Sequence, residues 1–346
     1  MQKGISVYAG LGYTVQENLN LIEFASSLGM KYLFTSAQIP EASDSENFFE
    51  ELLAILTAAT NKKFEIILDV SSEDAPLFNV EELTLRLDDG FDTPRIAQLS
   101  HTRKIQLNAS TITEDFLTEL KNSNANFVNV TALHNFYPRR GTGLSEDFLL
   151  QKTLLLHKAG IRVGAFVPGK NRKHSLRASG YTTLENHRDE DTSLAARHLV
   201  ALGIDMVFMG NLPDKEELSA LAGLSDQAVT IRAQWQTDNP VERGHLAHVF
   251  TARQDVAQNA VRAVEGKSLL QKSGLHIMPQ KPRQRPLGAI TIDNDNNLPY
   301  TGEVEICRIA QAADDGVNVV AQIDVKECNL IEYISPGRKF SFIFHD

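Results

Sequence analysis

Short apolar runs alternate with stretches of helical periodicity over roughly the first 225 residues, and few folds accommodate that alternation. The runs are GISVYAG (Gly4–Gly10), KYLFTS (Lys31–Ser36), FEIILDV (Phe64–Val70), LTLRL (Leu83–Leu87), KIQLNAS (Lys104–Ser110), FVNVTA (Phe127–Ala132), IRVGAFVPG (Ile161–Gly169) and IDMVFMGN (Ile204–Asn211). Between them, VQENLNLIEFASSLG, SENFFELLAILTAAT, TEDFLTELKNS and SEDFLLQKTLLLHKAG space their apolar residues by three and four. DTPRIAQLS supplies a brief helix, with Pro94 suited to its first turn. Strands that are apolar on both faces belong in a parallel sheet covered by helices. About eight such units predict a closed (β/α)8 TIM-type barrel rather than an open doubly wound sheet.

The pattern changes near residue 226. AVTIRAQWQ, GAITIDN, TGEVEICRI, NVVAQIDV and KFSFIF read as strands, separated by turn clusters such as DNDNN and ADDG. A helix is expected around ARQDVAQNAVRAVEG, and MPQKPRQRPLG (Met278–Gly288) reads as an extended connector. The expected division is a catalytic barrel over residues 1–226 and a smaller, mainly β domain over residues 227–346.

Charge and cysteine usage limit the partners. A formal net charge of -10 makes a nucleic-acid partner unexpected, so an anionic ligand would need a local basic patch. The loop after the seventh run provides one, with Lys170, Arg172, Lys173, His174 and Arg177; a solvated basic loop is the plain alternative. Cys307 and Cys328 are far apart and lack the spacing of a zinc site or a disulfide scaffold. His245 and His248 have a metal-compatible spacing but no carboxylate cluster beside them in sequence, and no metal or other cofactor is expected. No apolar stretch suggests a membrane span or leader, so a cytoplasmic location is the expectation. Oligomeric state is not legible.

In a barrel of this kind, reacting groups sit at the C-terminal ends of strands and in the loops that follow. Asp69, Asp88 and Asn108 close the third, fourth and fifth runs. The sixth leads into HNFYPRRGTGL, with Asn135, Tyr137 and Arg139, and the eighth ends at Asn211. Neighbouring strands lie about 4.8 Å apart, so Asp69 and Asp88 are expected to be close. A carboxylate pair at such range splits into an acid and an ionised partner, as glycoside hydrolysis requires. Each residue also has a plainer reading. Asp69, Asp88, Asp89 and Asp92 suit turns or helix caps, and Asn108 suits a cap for the helix that TEDF begins. Glu185 and His187 in LENHRD suit either acid–base work or a helix start.

GISVYAG, KYLFTS, LDVS, LRLDDGF, LNAST, NFYPR with TGLS, and TLENHR together resemble the 6-phospho-N-acetylmuramidases, and LGAITIDN, NVVAQI and SPGRKF extend the likeness to the C-terminal region. The resemblance implies a (β/α)8 barrel joined to a cyclophilin-like domain. It also implies cytoplasmic hydrolysis of 6-phospho-N-acetylmuramyl-N-acetylglucosamine during cell-wall (peptidoglycan) recycling, releasing 6-phospho-N-acetylmuramic acid and N-acetylglucosamine. Asp69 and Asp88 would then flank the sugar, with Glu185 as rival acid. Asn108, Asn135 and Tyr137 would bind hydroxyls and the acetamido group, and Arg139 the phosphate or lactyl carboxylate. Arg253, in an Arg-x-Asp pattern associated with the family's second domain, would reach in from there. Two departures stand out. GNLP (Gly210–Pro213) replaces a Gly-Asp-Pro arrangement, so Asn211 cannot act as an acid and is expected to bind substrate instead, and Arg140 and Gly141 replace a proline and a polar residue. The competing readings are a phosphosugar isomerase or aldolase on the same barrel, and a phosphosugar-binding protein without turnover. A Schiff-base aldolase needs a lysine within a strand, whereas Lys31 and Lys104 stand at strand starts.

Overall fold

A computed structural model describes every residue except 12, 39–46, 79, 81, 89, 172–179 and 226. Asp89 and the basic residues Arg172, Lys173, His174 and Arg177 therefore lie outside the described residues. The chain divides into two compact units, Met1–Leu224 and Ser225–Asp346.

Eight strands of the first unit close in sequence order into a parallel barrel: β1 (Gln2–Ser6), β2 (Tyr32–Ser36), β3 (Glu65–Val70), β4 (Leu83–Leu87), β5 (Ile105–Asn108), β6 (Val130–Leu133), β7 (Arg162–Val167) and β8 (Met206–Met209). Closure is made by β1 pairing with β8. Helices around the barrel begin where a short polar side chain caps free backbone N–H groups. Thr14 and Glu17 form a reciprocal capping box, as do Asp214 and Glu217. Asp92 caps Thr93–Thr102 with Pro94 in the first turn, and Thr113, not Asn108, caps Glu114–Asn122. The sixth strand starts later than its apolar run suggests. The Asn126 side chain accepts the Val128 N–H and closes a 3₁₀ turn over Phe127–Asn129, leaving Val130–Leu133 to pair.

Barrel strands bury both faces. Towards their C-terminal ends, Tyr8, Phe34, Phe136, Phe166 and Tyr181 pack with ring centroids 4.5–6.2 Å apart. Burying side chains of this kind contributes about 1.5–3 kcal/mol each, and it dries the space that the polar groups below must share.

The second unit is built on a seven-stranded mixed sheet in the order β10-β15-β9-β14-β12-β13-β11. Its strands are β9 (Val229–Trp235), β10 (Phe250–Thr251), β11 (Ala260–Arg262), β12 (Ala289–Asp293), β13 (Val304–Cys307), β14 (Val317–Ile323) and β15 (Lys339–His345). The helix expected around ARQDVAQNAVRAVEG is absent: Ala260–Arg262 pairs antiparallel with β13, and Ala252 bridges to Ala263. Strand pairing to residues more than forty positions away overrides the local helical spacing, and Ala260, Val261 and Ala263 are buried while Val256 and Val264 face solvent. Among the described residues of this unit the α-helices are Pro240–Leu246 and Gly266–Ser273, and a 3₁₀ helix runs over Val325–Tyr333. No helix among the described residues is long and apolar enough to cross a membrane.

Candidate active site

Asp69 is the penultimate residue of β3, and its register partners are Ser36 on β2 and Arg86 on β4. Asp88 lies one residue beyond β4. Parallel register therefore places an arginine, not an aspartate, directly opposite Asp69. The Arg86 guanidinium is almost wholly buried, 3% exposed, and bridges the two carboxylates. Its Nη1 donates to Asp69 Oδ1 at 2.7 Å and lies 3.1 Å from Asp88 Oδ2. Its Nη2 donates to Asn135 Oδ1. Ser36 Oγ donates to the other Asp69 oxygen at 2.9 Å.

The electrostatics of the pair are unequal. The Asp69 side chain is 13% exposed and that of Asp88 31%. Burial raises the Asp69 pKa above the ordinary carboxylate value, a shift that Arg86 and Ser36 oppose and Asp88 reinforces. Burial also disfavours the charge on Arg86, yet the two aspartates more than offset this and raise its pKa. Asp88 is open to a cavity of about 230 Å³ lined by Leu87, Phe91, Asn108, Thr111 and Phe116 among others.

Asn108 and Asn135 join this cluster. Asn108 Nδ2 donates to Asp88 Oδ1 at 2.9 Å, while its Oδ1 accepts the Ser110 N–H. Ser110 Oγ accepts the Asn135 N–H at 3.3 Å and lies 3.2 Å from His134 Nδ1. His134 is fully buried, and burial, with a smaller contribution from Lys152, pulls its pKa down to about 3, so it is neutral. Arg86, Ser36, Ser110 and His134 were not among the residues picked from the sequence. Arg86 carried a usable signal: a lone charge within LTLRL, in a strand buried on both faces, has to be paired.

Other expected residues are employed elsewhere. Glu185 accepts the Gly141 and Gly143 N–H groups at 2.8 and 2.7 Å and is paired with Arg188 at 2.6 Å. These bonds, Arg188 foremost, hold its pKa down at about 2. Through these bonds Glu185 braces the loop after β6 as an ionised carboxylate. His187 is buried, with Nε2 2.9 Å from His198 Nδ1, and burial lowers its pKa strongly. Asn211 is engaged by backbone. Its buried amide accepts from the Gly169 and Tyr181 N–H groups at 3.0 and 3.3 Å and donates to the Gly169 and Asn171 carbonyls at 3.1 and 2.7 Å. With both of its amide hydrogens donated to backbone, it serves as a clamp between these segments.

Tyr137 is half-buried on the same loop as Arg139, its N–H donating to the Thr182 carbonyl at 2.9 Å. Arg139 and Arg140 differ in engagement. Arg140 is held by Asp189 through two bonds of 2.6 and 2.9 Å, whereas the exposed Arg139 guanidinium has no partner among the described residues. Arg253 belongs to the second unit, where Asp255 takes two of its donors at 2.8 Å. His245 Nε2 lies 2.9 Å from the Gly302 carbonyl oxygen. Among the described residues no group of three or more His, Cys, Asp or Glu side chains is arranged to hold a metal ion.

A family profile described as 6-phospho-N-acetylmuramidase, N-terminal, matches residues 3–223, and one described as 6-phospho-N-acetylmuramidase, C-terminal, matches residues 229–343. The chain belongs to the 6-phospho-N-acetylmuramidase family. That name is one of a glycosidase-type enzyme acting on a phosphorylated sugar. Among solved structures, the chain is similar to an uncharacterized B. cereus protein, with 26% identity, a TM-score of 0.85 and 99% of both chains covered. It is also similar to a conserved protein of unknown function from Enterococcus faecalis, with 29% identity and a TM-score of 0.69, over 100% of this chain and 97% of that one. No curated protein matches.

Proposed function

We propose that this protein hydrolyses 6-phospho-N-acetylmuramyl-N-acetylglucosamine to 6-phospho-N-acetylmuramic acid and N-acetylglucosamine, in the cytoplasm, as a step of cell-wall recycling. The observation that carries the reading is the convergence of Asp69 and Asp88 on one buried guanidinium at the C-terminal end of the barrel, within a chain of this family. Two carboxylates of unequal burial, the more exposed of which, Asp88, lines a cavity, are the minimum equipment for cleaving a glycosidic bond. Asn108 and Asn135 would orient sugar hydroxyls or the acetamido group, with Tyr137 beside them. Arg139, whose planar fork lacks a partner among the described residues, would hold the phosphate or the lactyl carboxylate.

The test is incubation of the purified protein with the phosphorylated disaccharide and with its unphosphorylated form. Release of N-acetylglucosamine from the phosphorylated form alone is expected. Asp69→Asn and Asp88→Asn should each lower the rate about 10²–10⁴-fold while circular dichroism stays native. Tight binding without release overturns the hydrolase reading, and a near-normal rate in either variant removes that residue.

A further inference from the structure

Arg86 does more than neutralise its neighbours; it sets their spacing. Asp69 Oδ1 and Asp88 Oδ2 lie 2.7 and 3.1 Å from the same nitrogen, so they are no farther apart than those two lengths laid end to end. For these two facing oxygens that limit falls below the separation of about 6.5 Å at which the carboxyl pairs of inverting glycosidases begin, and it reaches the roughly 5–5.5 Å of retaining ones. A water molecule attacking the sugar from the far side needs the wider gap. Resting on the glycosidase reading above, we infer that the enzyme cleaves by double displacement with retention of configuration, and that Arg86 is the positioning residue that enforces the short spacing.

The two roles follow from burial and charge count. Two carboxylates share one guanidinium, and a proton added to the pair is taken up at least cost by the drier member. Asp69 is that member, and the Ser36 hydroxyl, able to donate or accept, suits either protonation state of its Oδ2. Asp88, open to the cavity and oriented by Asn108, is the nucleophile. In the first step an Asp88 oxygen forms a bond to the anomeric carbon as the bond from that carbon to the leaving sugar breaks. The released electron pair stays on the leaving oxygen, which takes the proton of Asp69. In the second step water yields a proton to the Asp69 carboxylate while its oxygen bonds to the anomeric carbon. The ester bond breaks and Asp88 recovers its charge. Two inversions leave the starting configuration, with one water consumed.

The experiment follows the anomeric proton of the phosphorylated product by NMR during the first minutes of hydrolysis, before mutarotation. The anomer released first should match the configuration of the substrate. Release of the opposite anomer overturns this inference and leaves the glycosidase reading standing, whereas no cleavage at all overturns both. Azide tests the assignment of roles. With Asp88→Gly it should give a glycosyl azide of inverted configuration, and with Asp69→Gly one of retained configuration; the reverse pairing overturns the assignment. For Arg86, Arg86→Lys keeps the charge but cannot span both carboxylates and Asn135. It should lower kcat about a hundredfold with KM little changed. An unchanged kcat with a raised KM overturns the positioning role, and the anomer measurement on the unaltered enzyme decides the spacing even where a variant fails to fold.

Discussion

Arg86 is the one charged side chain within β4, and it shows how a buried charge organises its surroundings. Removed from water, a guanidinium must be paired and hydrogen-bonded, so it draws Asp69, Asp88 and Asn135 towards it. Glu185 is the reverse case, a carboxylate that collects donors. Its pKa of about 2 lies below the unfolded carboxylate value of about 4.3, so its stabilisation is complete above the latter and is lost as pH falls towards 2. Glu185→Gln should therefore melt lower than the parent at pH 6, and the gap should close as the pH approaches 2. Melting temperatures that stay a constant distance apart over that range would separate the Glu185 bonds from stability.

At the scale of elements, the ends of the loop after β7 are tied to the segment after β8 by a single amide. Asn211 uses both kinds of amide group on the backbone of Gly169, Asn171 and Tyr181. Gly210 beside it has no room for a side chain, since a Cβ would lie 2.0 Å from the Tyr181 carbonyl oxygen. Asn211→Asp keeps the two acceptor bonds, loses both donor bonds and sets a carboxylate against two carbonyl oxygens. Unfolding in urea should show a loss of about 1–3 kcal/mol. An unchanged midpoint and slope would show that the clamp carries no stability. The departure from Gly-Asp-Pro noted in the sequence thus has a local reason: the carbonyls here require a donor.

Across the whole molecule, buried histidines and buried carboxylates contribute to the pH dependence of stability in opposite senses. In the barrel unit, burial lowers the pKa of His134 to about 3 and of His198 to about 4, and holds that of His187 well below its usual range. The unfolded chain binds these protons first, so their contribution to stability falls as pH drops below about 6.5, by roughly 1.4 kcal/mol per unit for His134. In the second unit burial raises Asp293 to about 7, with Glu305 and Glu303 adding to the effect and the Asn297 side chain opposing it. There the folded state holds the proton longer, and stability falls as pH rises from about 4 to 7. His134→Leu should flatten the acid-side loss seen by far-UV circular dichroism. Asp293→Asn should raise the second unit's stability at pH 8 relative to pH 5, followed by fluorescence of Trp235, which stacks on Phe344. Identical pH slopes in parent and variant would dismiss either group.

The barrel was legible because its information is local. Apolar runs on a two-sided strand pattern, helical spacing between them and capping residues such as Thr14, Asp92 and Asp214 act over a few positions each. The same local rules failed at Ala260–Arg262, where pairing with β13 prevailed over helical spacing. They also placed Asp69 and Asp88 at one rim without showing what lies between them. The partner of a buried charge is chosen by strand register and loop closure between segments far apart along the chain. Arg86 meets Asn135 across 49 residues, Glu185 meets Gly143 across 42, and Asn211 meets Gly169 across 42. The sequence by itself determined the alternation that closes the barrel and the polar residues at its mouth. Tertiary structure alone decided which of them share a guanidinium and which hold the backbone, because desolvation and hydrogen-bond geometry depend on neighbours that linear spacing does not encode.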